Sequence, residues 1–400
     1  LSAHNETALR AQAHQLDHWL TTHPDTDLTE LARTLAHTRT THHHRAVITA
    51  TTHTQLHTAL TALTHNTPSP HLTHGHPTTD TTRLGFVFTG QGAQWAGMGL
   101  DLYHTYPQFA ATVDEIAHLA NLPLLDILAD PQKLNQTANT QIATFTLETA
   151  LHHLLRTWNI HPDTLAGHSI GEIAAAHAAG ILTLPDAVTL VTARGQLMQT
   201  LPPGGTMIAI HATEEEIRPH LNDTVCLAAV NGPNAIVISG PEHAVKTTAT
   251  HFTRTKQLNV SHAFHSTLMN PILEPFAAIV NTLTLHPPHT PLTCNGNPLT
   301  PQYWTDHIRQ PVRFTDTLTN THATVLLEIG PDAALTPMIE DRPTIPTQRN
   351  NHHQPTTLLK ALAQLHTTTT TPIHWPTILN TPTHHLDLPT YPFQHQHYWL

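Results

Sequence analysis

The stretch Ala166-Gly167-His168-Ser169-Ile170-Gly171-Glu172, followed directly by Ile173-Ala174-Ala175-Ala176, decides the fold of this chain. A short apolar segment leads into Gly-x-Ser-x-Gly and a helix of small residues follows, which is typical of a nucleophile elbow. In this strand-to-helix turn Ser169 would expose its Oγ, and the flanking glycines lack the Cβ atoms that would clash with nearby backbone. The helix beginning at Ile170 would direct its N–H groups and positive dipole end towards negative charge beside Ser169. The motif alone is not decisive, so a base, an oxyanion donor and a substrate anchor are needed elsewhere.

Composition limits the possible partners and compartments. The chain has 400 residues, enough for two or three structural units, but only 11% are charged against roughly 25% in an average protein. The formal net charge is −11 and Lys and Arg form no runs, which argues against nucleic acid and anionic membrane as partners. Two cysteines without a pairing pattern and the lack of a long apolar run predict a soluble cytoplasmic protein. The chain starts without Met and ends on Tyr398-Trp399-Leu400, so we expect a fragment of a longer polypeptide.

Histidine is the most unusual feature of the composition. The 39 histidines are scattered through predicted helices, loops and linkers. The dense clusters, His42-His43-His44 and His352-His353, have neither Cys nor carboxylates at the spacing of metal ligands. We interpret most of these histidines as a compositional habit and expect no bound metal.

The N-terminal part is predicted as a small helical or α/β unit. Leu9, Ala13, Leu16 and Leu20 share one helix face. Further elements are expected as follows: a helix from Asp27 to about His37, a strand at Arg45–Ala50, a helix from about His53 to His65, a linker at Pro68–Thr82 and a buried strand at Leu84–Phe88.

A second group of elements follows the order β-α-β-β-α-β of a ferredoxin-like unit. Its predicted elements are a strand at Thr206–His211, a helix opened by the capping box of Thr213 and Glu216, strands at Val225–Val230 and Ala235–Ser239, a helix from Pro241 to about Phe252 and a strand at Lys256–Val260. The unit is inserted into a larger α/β unit, which resumes with a helix near Ser266–Leu283 and a strand at Thr324–Ile329. The Thr/Pro/His-rich tail from about His366 is predicted as an extended linker.

Two segments offer the oxyanion donor and the base. Thr89-Gly90-Gln91-Gly92-Ala93-Gln94 follows a buried strand but fits no phosphate-binding motif, which leaves a plain loop as one interpretation. The other makes Gln91 an oxyanion-hole donor that partners the backbone N–H of Ile170. One histidine of Ser261-His262-Ala263-Phe264-His265-Ser266 is the natural general base, although its position alone does not select His265.

Arg194 is the candidate substrate anchor. It lies among small and apolar residues in the helix that starts near Asp186, in a chain with few cations. In that setting an arginine either pairs with a core carboxylate or binds an acidic ligand through two hydrogen bonds. The sequence leaves both alternatives open.

Together these segments resemble the malonyl-CoA:acyl-carrier-protein transacylase family, specifically the acyltransferase domain of a modular type I polyketide synthase. Four motifs occur in the family's order: Gly90–Gln94, Gly167–Glu172, Arg194–Gln199 and His262–His265. The resemblance to the catalytic domain covers about residues 82–347. Residues 1–80 resemble the linker from a preceding ketosynthase, and the segment from Leu388 to Trp399 resembles the one that wraps back towards that linker.

The resemblance implies an α/β fold with an α/β-hydrolase-like large subdomain, an inserted ferredoxin-like small subdomain and an N-terminal α/β linker domain. The expected boundaries are residues 1–80 for the linker domain, 81–205 and 263–365 for the large subdomain, 206–262 for the small subdomain and 366–400 for the final linker.

The family pattern also assigns roles to residues. Ser169 would be the nucleophile and His265 the base, and Gln91 with the Ile170 N–H would form the oxyanion hole. Arg194 would bind the free carboxylate of the substrate, and His168 would line the pocket.

The expected extender unit follows from two further positions. Ile170 after the serine and His-Ala-Phe-His both accompany malonyl selectivity in the family, with Phe264 filling space near Cα of the acyl group. Such a steric sieve is worth about 1–3 kcal/mol. In Tyr303–Arg309, His307 replaces the Asn or Gln that relatives often carry, and the backbone carbonyl of that residue is expected to orient the base.

The implied reaction is a ping-pong transfer of malonyl from CoA, through an ester on Ser169, to the phosphopantetheine thiol of an acyl carrier protein. The expected partners are malonyl-CoA, that carrier protein and the adjacent ketosynthase and other domains of one polypeptide, with no bound cofactor. The alternatives are a methylmalonyl-selective acyltransferase and a serine hydrolase or thioesterase. A hydrolase requires a buried acid against the imidazole, and the acids between the nucleophile and the base, Glu214–Glu216 and Glu242, lie in helices predicted to be exposed.

Overall fold

The computed structural model describes residues 1–77, 81–258, 260–381 and 383–394 of the chain. These form two compact units. The first comprises Leu1–Thr82, Trp158–Ile160 and Thr356–Leu400, and the second comprises Arg83–Thr157 and His161–Pro355. Helices and strands are mixed in both, which confirms the predicted α/β class.

The first unit opens with helices beside a small antiparallel sheet in the order β1-β2-β3. Its elements are β1 (Ser2–Ala3), α1 (Glu6–Thr22), α2 (Leu28–Thr38), β2 (His44–Ile48), α3 (His53–His65) and β3 (Leu72–Gly75). The predicted apolar face of α1 is confirmed, because Leu9, Ala13, Leu16 and Leu20 are all buried. Strand β3 lies where we predicted only a linker, and it is stabilised by pairing with β2 rather than by an apolar pattern of its own.

The second unit begins with a buried strand and a layer of helices. Its first elements are β4 (Leu84–Phe88), α4 (Leu100–Thr105), α5 (Pro107–Ala120), α6 (Leu124–Ala129), α7 (Pro131–Leu134), α8 (Thr137–Thr157), β5 (Thr164–Gly167), α9 (Ile170–Ala179) and α10 (Leu184–Gln199). Every residue of β4 and of β5 is buried, as expected for strands covered on both faces.

The small subdomain has the predicted β-α-β-β-α-β order. Its elements are β6 (Gly205–Ile210), α11 (Glu214–Ile217), β7 (Cys226–Gly232), β8 (Ala235–Pro241), α12 (Glu242–Ala249) and β9 (Thr255–Gln257). The strands form one antiparallel sheet in the order β7-β8-β6-β9. The capping box between Thr213 and Glu216 is present. Part of the predicted last strand, at position 259, lies outside the described residues.

The chain then returns to the larger sheet. The elements here are a 3-10 helix (Thr267–Ile272), α13 (Leu273–Val280), α14 (Pro301–His307), α15 (Phe314–Asn320), β10 (Val325–Ile329) and β11 (Thr344–Pro346). Strands β11, β10, β4 and β5 form a parallel sheet in that order. The carboxyl ends of β4 and β5 therefore lie side by side, and they carry Thr89–Gln94 and the Ser169 turn.

The tail differs from the predicted extended linker. Helix α16 (Gln354–Thr368) extends past His366, and α17 (Trp375–Leu379) follows. At this Thr-rich end the hydroxyls of Thr367, Thr368 and Thr369 donate to carbonyls four residues earlier.

The last described residues pack within the first unit. Arg39 Nη2 donates to the carbonyl of Leu388 at 3.2 Å and to that of Pro389 at 3.0 Å. Leu388 belongs to the same apolar core as α1 and α3. Tyr398 and Trp399, which carry part of the predicted linker motif, lie outside the described residues.

Candidate active site

The Ser169 turn has the geometry of a nucleophile elbow. Strand β5 ends at Gly167, Ser169 has φ +52° and ψ −118°, and α9 begins at Ile170. A Cβ on Gly167 would lie 2.3 Å from the Cα of Glu172, and one on Gly171 would lie 2.3 Å from the carbonyl oxygen of Thr89. Both positions therefore require glycine because backbone approaches them closely.

His265 lies against the serine and is held on its other side by backbone. Its Nε2 is 2.9 Å from Ser169 Oγ, and its Nδ1 is 2.8 Å from the carbonyl oxygen of Gln310. Since a carbonyl only accepts, Nδ1 carries the proton and Nε2 is free to accept the serine proton. His265 has φ +55°, which is in the left-handed region. A residue other than glycine keeps this conformation only when its surroundings stabilise it.

The carbonyl that orients the base belongs to Gln310, not to His307 as we predicted. Helix α14 ends at His307, and Gln310 lies in the bend beyond it, directly before Pro311. A carbonyl in that bend is not used by helix hydrogen bonds and is available to His265. The side chain of His307 instead points to Glu172, with Nε2 3.5 Å from Oε2.

Burial keeps the base neutral. Only 4% of His265 is exposed, and this burial, together with the charge of Arg194 and the neighbouring His307, holds the pKa of the imidazole well below its usual value. A neutral imidazole is the form that accepts a proton from a serine hydroxyl.

Arg194 is a buried cation without a carboxylate partner. It is 1% exposed, and its Nη2 donates to Ser169 Oγ at 3.1 Å. Among the described residues no Asp or Glu forms an ion pair with it, and its Nε has no hydrogen-bond partner. Burial lowers the pKa of the guanidinium to about 9. Of the two alternatives that the sequence left open, the geometry does not support pairing with a core carboxylate.

Gln141 on α8 is a site residue that the sequence analysis missed. Its Oε1 accepts a hydrogen bond from Arg194 Nη1, and its Nε2 donates to Gln91 Oε1 at 2.9 Å. One amide thus connects the buried cation with the loop that follows β4. A glutamine within a long buried helix gave no signal, because such a position is not distinguished by periodicity.

The remaining predicted residues, His168, Phe264 and Ile170, adjoin Ser169 or His265 in the sequence. His168 Nε2 is 2.8 Å from Oδ1 of Asn231, a residue of β7 in the small subdomain that we did not predict for the site. Phe264 is 6% exposed and directly precedes the base. Ile170 is the first residue of α9, so its N–H has no partner within the helix. The oxyanion role of Gln91 and the pocket role of Phe264 stay predictions.

A family model described as acyl transferase domain matches residues 85–372, and another described as RhiE-like, KS-MAT linker domain matches residues 1–67. This chain belongs to the acyl transferase domain family. The matched region contains the Ser169 turn, His265 and the buried Arg194 described above.

Curated polyketide synthases are similar over the whole chain. Identity is 37% to polyketide synthase GfsB of Streptomyces halstedii, 38% to mycoketide-CoA synthase of Mycobacterium tuberculosis and 39% to the spectinabilin synthase protein NorB of Streptomyces orinoci. Each alignment covers 100% of this chain but only 8%, 10% and 20%, respectively, of the relative.

Solved acyltransferase domains have the same fold. The domain from the second module of the salinomycin polyketide synthase is 40% identical, with a TM-score of 0.81 and 95% of each chain covered. The domain of SpnD, in complex with 2-(pent-4-yn-1-yl)malonyl, is 30% identical, with a TM-score of 0.82 over 95% of this chain and 96% of that one. The chain is therefore an acyltransferase domain of the modular polyketide synthase type.

Neither a metal-binding cluster nor a membrane-spanning helix is present among the described residues. In the ranges 1–77, 81–258, 260–381 and 383–394, no group of three or more His, Cys, Asp or Glu side chains is arranged to hold a metal ion. No helix in those ranges combines the length and apolarity that a membrane span requires.

Proposed function

We propose that this acyltransferase domain transfers a malonyl group from malonyl-CoA to the phosphopantetheine thiol of an acyl carrier protein. The observation that carries the proposal is the guanidinium of Arg194, which lies 3.1 Å from the nucleophilic Oγ of Ser169 without a carboxylate partner among the described residues. A buried guanidinium in this state is completed by a carboxylate ligand. Malonyl supplies one, whereas acetyl does not.

The first half-reaction acylates the serine. His265 Nε2 takes the proton of Ser169 as Oγ forms a bond to the malonyl carbonyl carbon, and the negative charge moves to the carbonyl oxygen. The N–H groups of Ile170 and Gln91 stabilise that oxyanion, a contribution worth about 10²–10³ in rate for each donor. When the intermediate collapses, the C–S bond breaks, and the CoA sulfur takes the proton from His265.

The second half-reaction runs the same steps in reverse on a different thiol. His265 removes the proton of the phosphopantetheine thiol, its sulfur attacks the ester, and Ser169 Oγ leaves with the proton. The KS-MAT linker match and the polyketide synthase relatives support a ketosynthase and an acyl carrier protein as neighbours within a longer chain.

Malonyl rather than methylmalonyl is proposed because of two side chains. Phe264 and Ile170 are both buried, and they directly adjoin His265 and Ser169 in the sequence. We infer that each removes space that a methyl group on Cα needs. A sieve of this kind is worth about 1–3 kcal/mol, so preference for malonyl is expected to be strong but incomplete.

Intact-protein mass spectrometry tests the proposal. The domain is exposed briefly to equal concentrations of malonyl-CoA and methylmalonyl-CoA, with Ser169→Ala as the control. A malonyl adduct that the control lacks supports both the ester and the malonyl assignment. A predominant methylmalonyl adduct would overturn the interpretation of Phe264 and Ile170, and release of free acid without an adduct would point to hydrolysis.

A further inference from the structure

A buried carboxylate lies behind the catalytic pair and has no step in the proposed reaction. Glu172, in the first turn of α9, has a side chain that is 9% exposed. Its Oε1 accepts a hydrogen bond from the hydroxyl of Tyr303, and its Oε2 is 3.5 Å from Nε2 of His307. Both partners lie on α14, so one carboxylate fixes two side chains of this helix relative to the elbow.

His307 is enclosed by rings and faces the base. Its ring centroid lies 6.1 Å from that of Tyr303 and 5.7 Å from that of Trp304. The ring of His265 meets it edge-on, at 6.3 Å and 83°. Space for this arrangement depends on Gly296, where a Cβ would lie 2.7 Å from the Tyr303 ring. Three rings and one carboxylate therefore define the position of the His307 side chain.

We propose that His307, held by Glu172 and Tyr303, is a positioning residue that shields the base His265 from the charge of Glu172. The imidazole is next to both the carboxylate and the base, and its contact with Oε2 offsets part of the negative charge. Without it, the carboxylate would stabilise the protonated form of His265, which cannot accept the serine proton. The inference rests on the proposed function, because it concerns the base of that reaction.

The charges around His265 determine the direction in which its pKa should change. Three further titratable groups face His265: His168 in the elbow, Arg194 on α10 and His307 on α14. Each lowers the pKa of the base. The negative charge of Glu172 acts in the opposite direction, since it raises the pKa of Arg194 and of His168. Loss of the His307 ring nitrogens should therefore raise the pH at which the base becomes neutral.

The test is the pH dependence of single-turnover acylation of Ser169 by malonyl-CoA, measured from the lowest pH at which the domain stays folded up to about pH 8, because the pKa of His265 lies well below its usual value. In His307→Phe the ring is kept and the contact with Glu172 is lost. We expect the acid limb to move to higher pH. We compare the variants at the pH where the unaltered domain acylates at half its maximal rate. At that pH the rate of the variant, as a fraction of its own maximum, should be about two- to fivefold lower.

A second substitution separates shielding from packing. Adding Glu172→Gln to His307→Phe removes the charge, so the acid limb should return towards its original position. A matched control is His57→Phe, which removes another histidine paired with a carboxylate, Asp17 at 2.5 Å, in the first unit. This control should leave the profile unchanged.

Each other outcome is distinct. A uniform loss of rate in His307→Phe without a shift, or a shift that Glu172→Gln does not reverse, refutes the shielding role. If the unaltered domain forms no malonyl ester at any pH, the proposed function itself is refuted. Thermal unfolding of each variant shows whether the substitution impairs folding. If His307→Phe does not fold, His307→Gln is measured in its place. Glutamine keeps a donor towards Glu172, so the expected shift of the acid limb is smaller.

Discussion

The amide of Gln141 is expected to stabilise the buried arginine and the loop after β4 at the same time. Gln141→Met keeps the approximate length and volume of the side chain but removes both hydrogen bonds. Loss of a hydrogen bond to a charged group costs about 1.5–3 kcal/mol, and loss of a neutral one costs about 0.5–1.5 kcal/mol. Since Arg194 Nε already has no partner, the variant would leave this guanidinium with Ser169 Oγ alone.

We therefore expect the free energy of unfolding to fall by about 2–4 kcal/mol in Gln141→Met. Acylation by malonyl-CoA should slow by about 10- to 100-fold, because a displaced anchor misplaces the reacting carbonyl. Urea unfolding gives the first quantity, and rapid-quench mass spectrometry of the Ser169 ester gives the second.

Gln354→Met is the matched control for this measurement. Gln354 is also a buried glutamine, and its Nε2 donates to the carbonyl of Gly97 at 2.8 Å. Its loss should lower the unfolding free energy by about 0.5–1.5 kcal/mol and leave acylation unchanged. If Gln141→Met unfolds and acylates like the unaltered domain, the amide contributes nothing and the reasoning from its two contacts is wrong.

Three further substitutions test other parts of the structure. Gly171→Ala places a Cβ 2.3 Å from a backbone oxygen of Thr89, so we expect destabilisation of about 1–3 kcal/mol or more in urea unfolding, and a normal midpoint would contradict this. Phe264→Ser should raise methylmalonyl relative to malonyl acylation by about tenfold or more in competition experiments, and an unchanged ratio would remove Phe264 from the sieve. Burial lowers the pKa of His152 to about 3, whereas the pKa of a histidine in the unfolded chain is about 6.5. Between about pH 6.5 and about pH 3 the unfolded chain therefore binds a proton at this position that the folded chain does not bind. Stability should thus fall as the pH drops through that window, and His152→Phe should show a weaker dependence of melting temperature on pH.

The elbow could be predicted from sequence because its requirements are local. Gly167 and Gly171 are needed because backbone passes within a few ångströms of both positions. A serine between two such glycines is typical of few structures other than this turn. The small subdomain was also predictable, since its strands and helices alternate in a short segment with a clear capping box. In both cases the signal lies in neighbouring residues.

The contacts that complete the site could not be read in the same way. The carbonyl of Gln310 orients the base, but every residue has the same backbone acceptor. The sequence therefore does not show which carbonyl His265 contacts. Gln141 reaches Arg194 only because α8 packs against α10. Glu172 was visible within the motif, but its partners lie on α14, more than a hundred positions later in the chain.

The nature of the base partner also bears on the choice between transfer and hydrolysis. A serine hydrolase pairs its histidine with a carboxylate, which stabilises the imidazolium and strengthens the base. His265 instead has a neutral carbonyl on Nδ1 and the Arg194 cation nearby, and its pKa is lowered. A weak base can deprotonate a thiol, whose pKa is about 8.5, but a hydroxyl as weakly acidic as water, whose pKa is about 15.7, needs a further hydrogen-bond donor on its oxygen. Ser169 Oγ has such a donor, because Arg194 Nη2 donates to it at 3.1 Å. With the proposed thiol acceptor, the arrangement that makes His265 a poor activator of water leaves it able to deprotonate the carrier thiol, so the serine ester should persist until that thiol arrives.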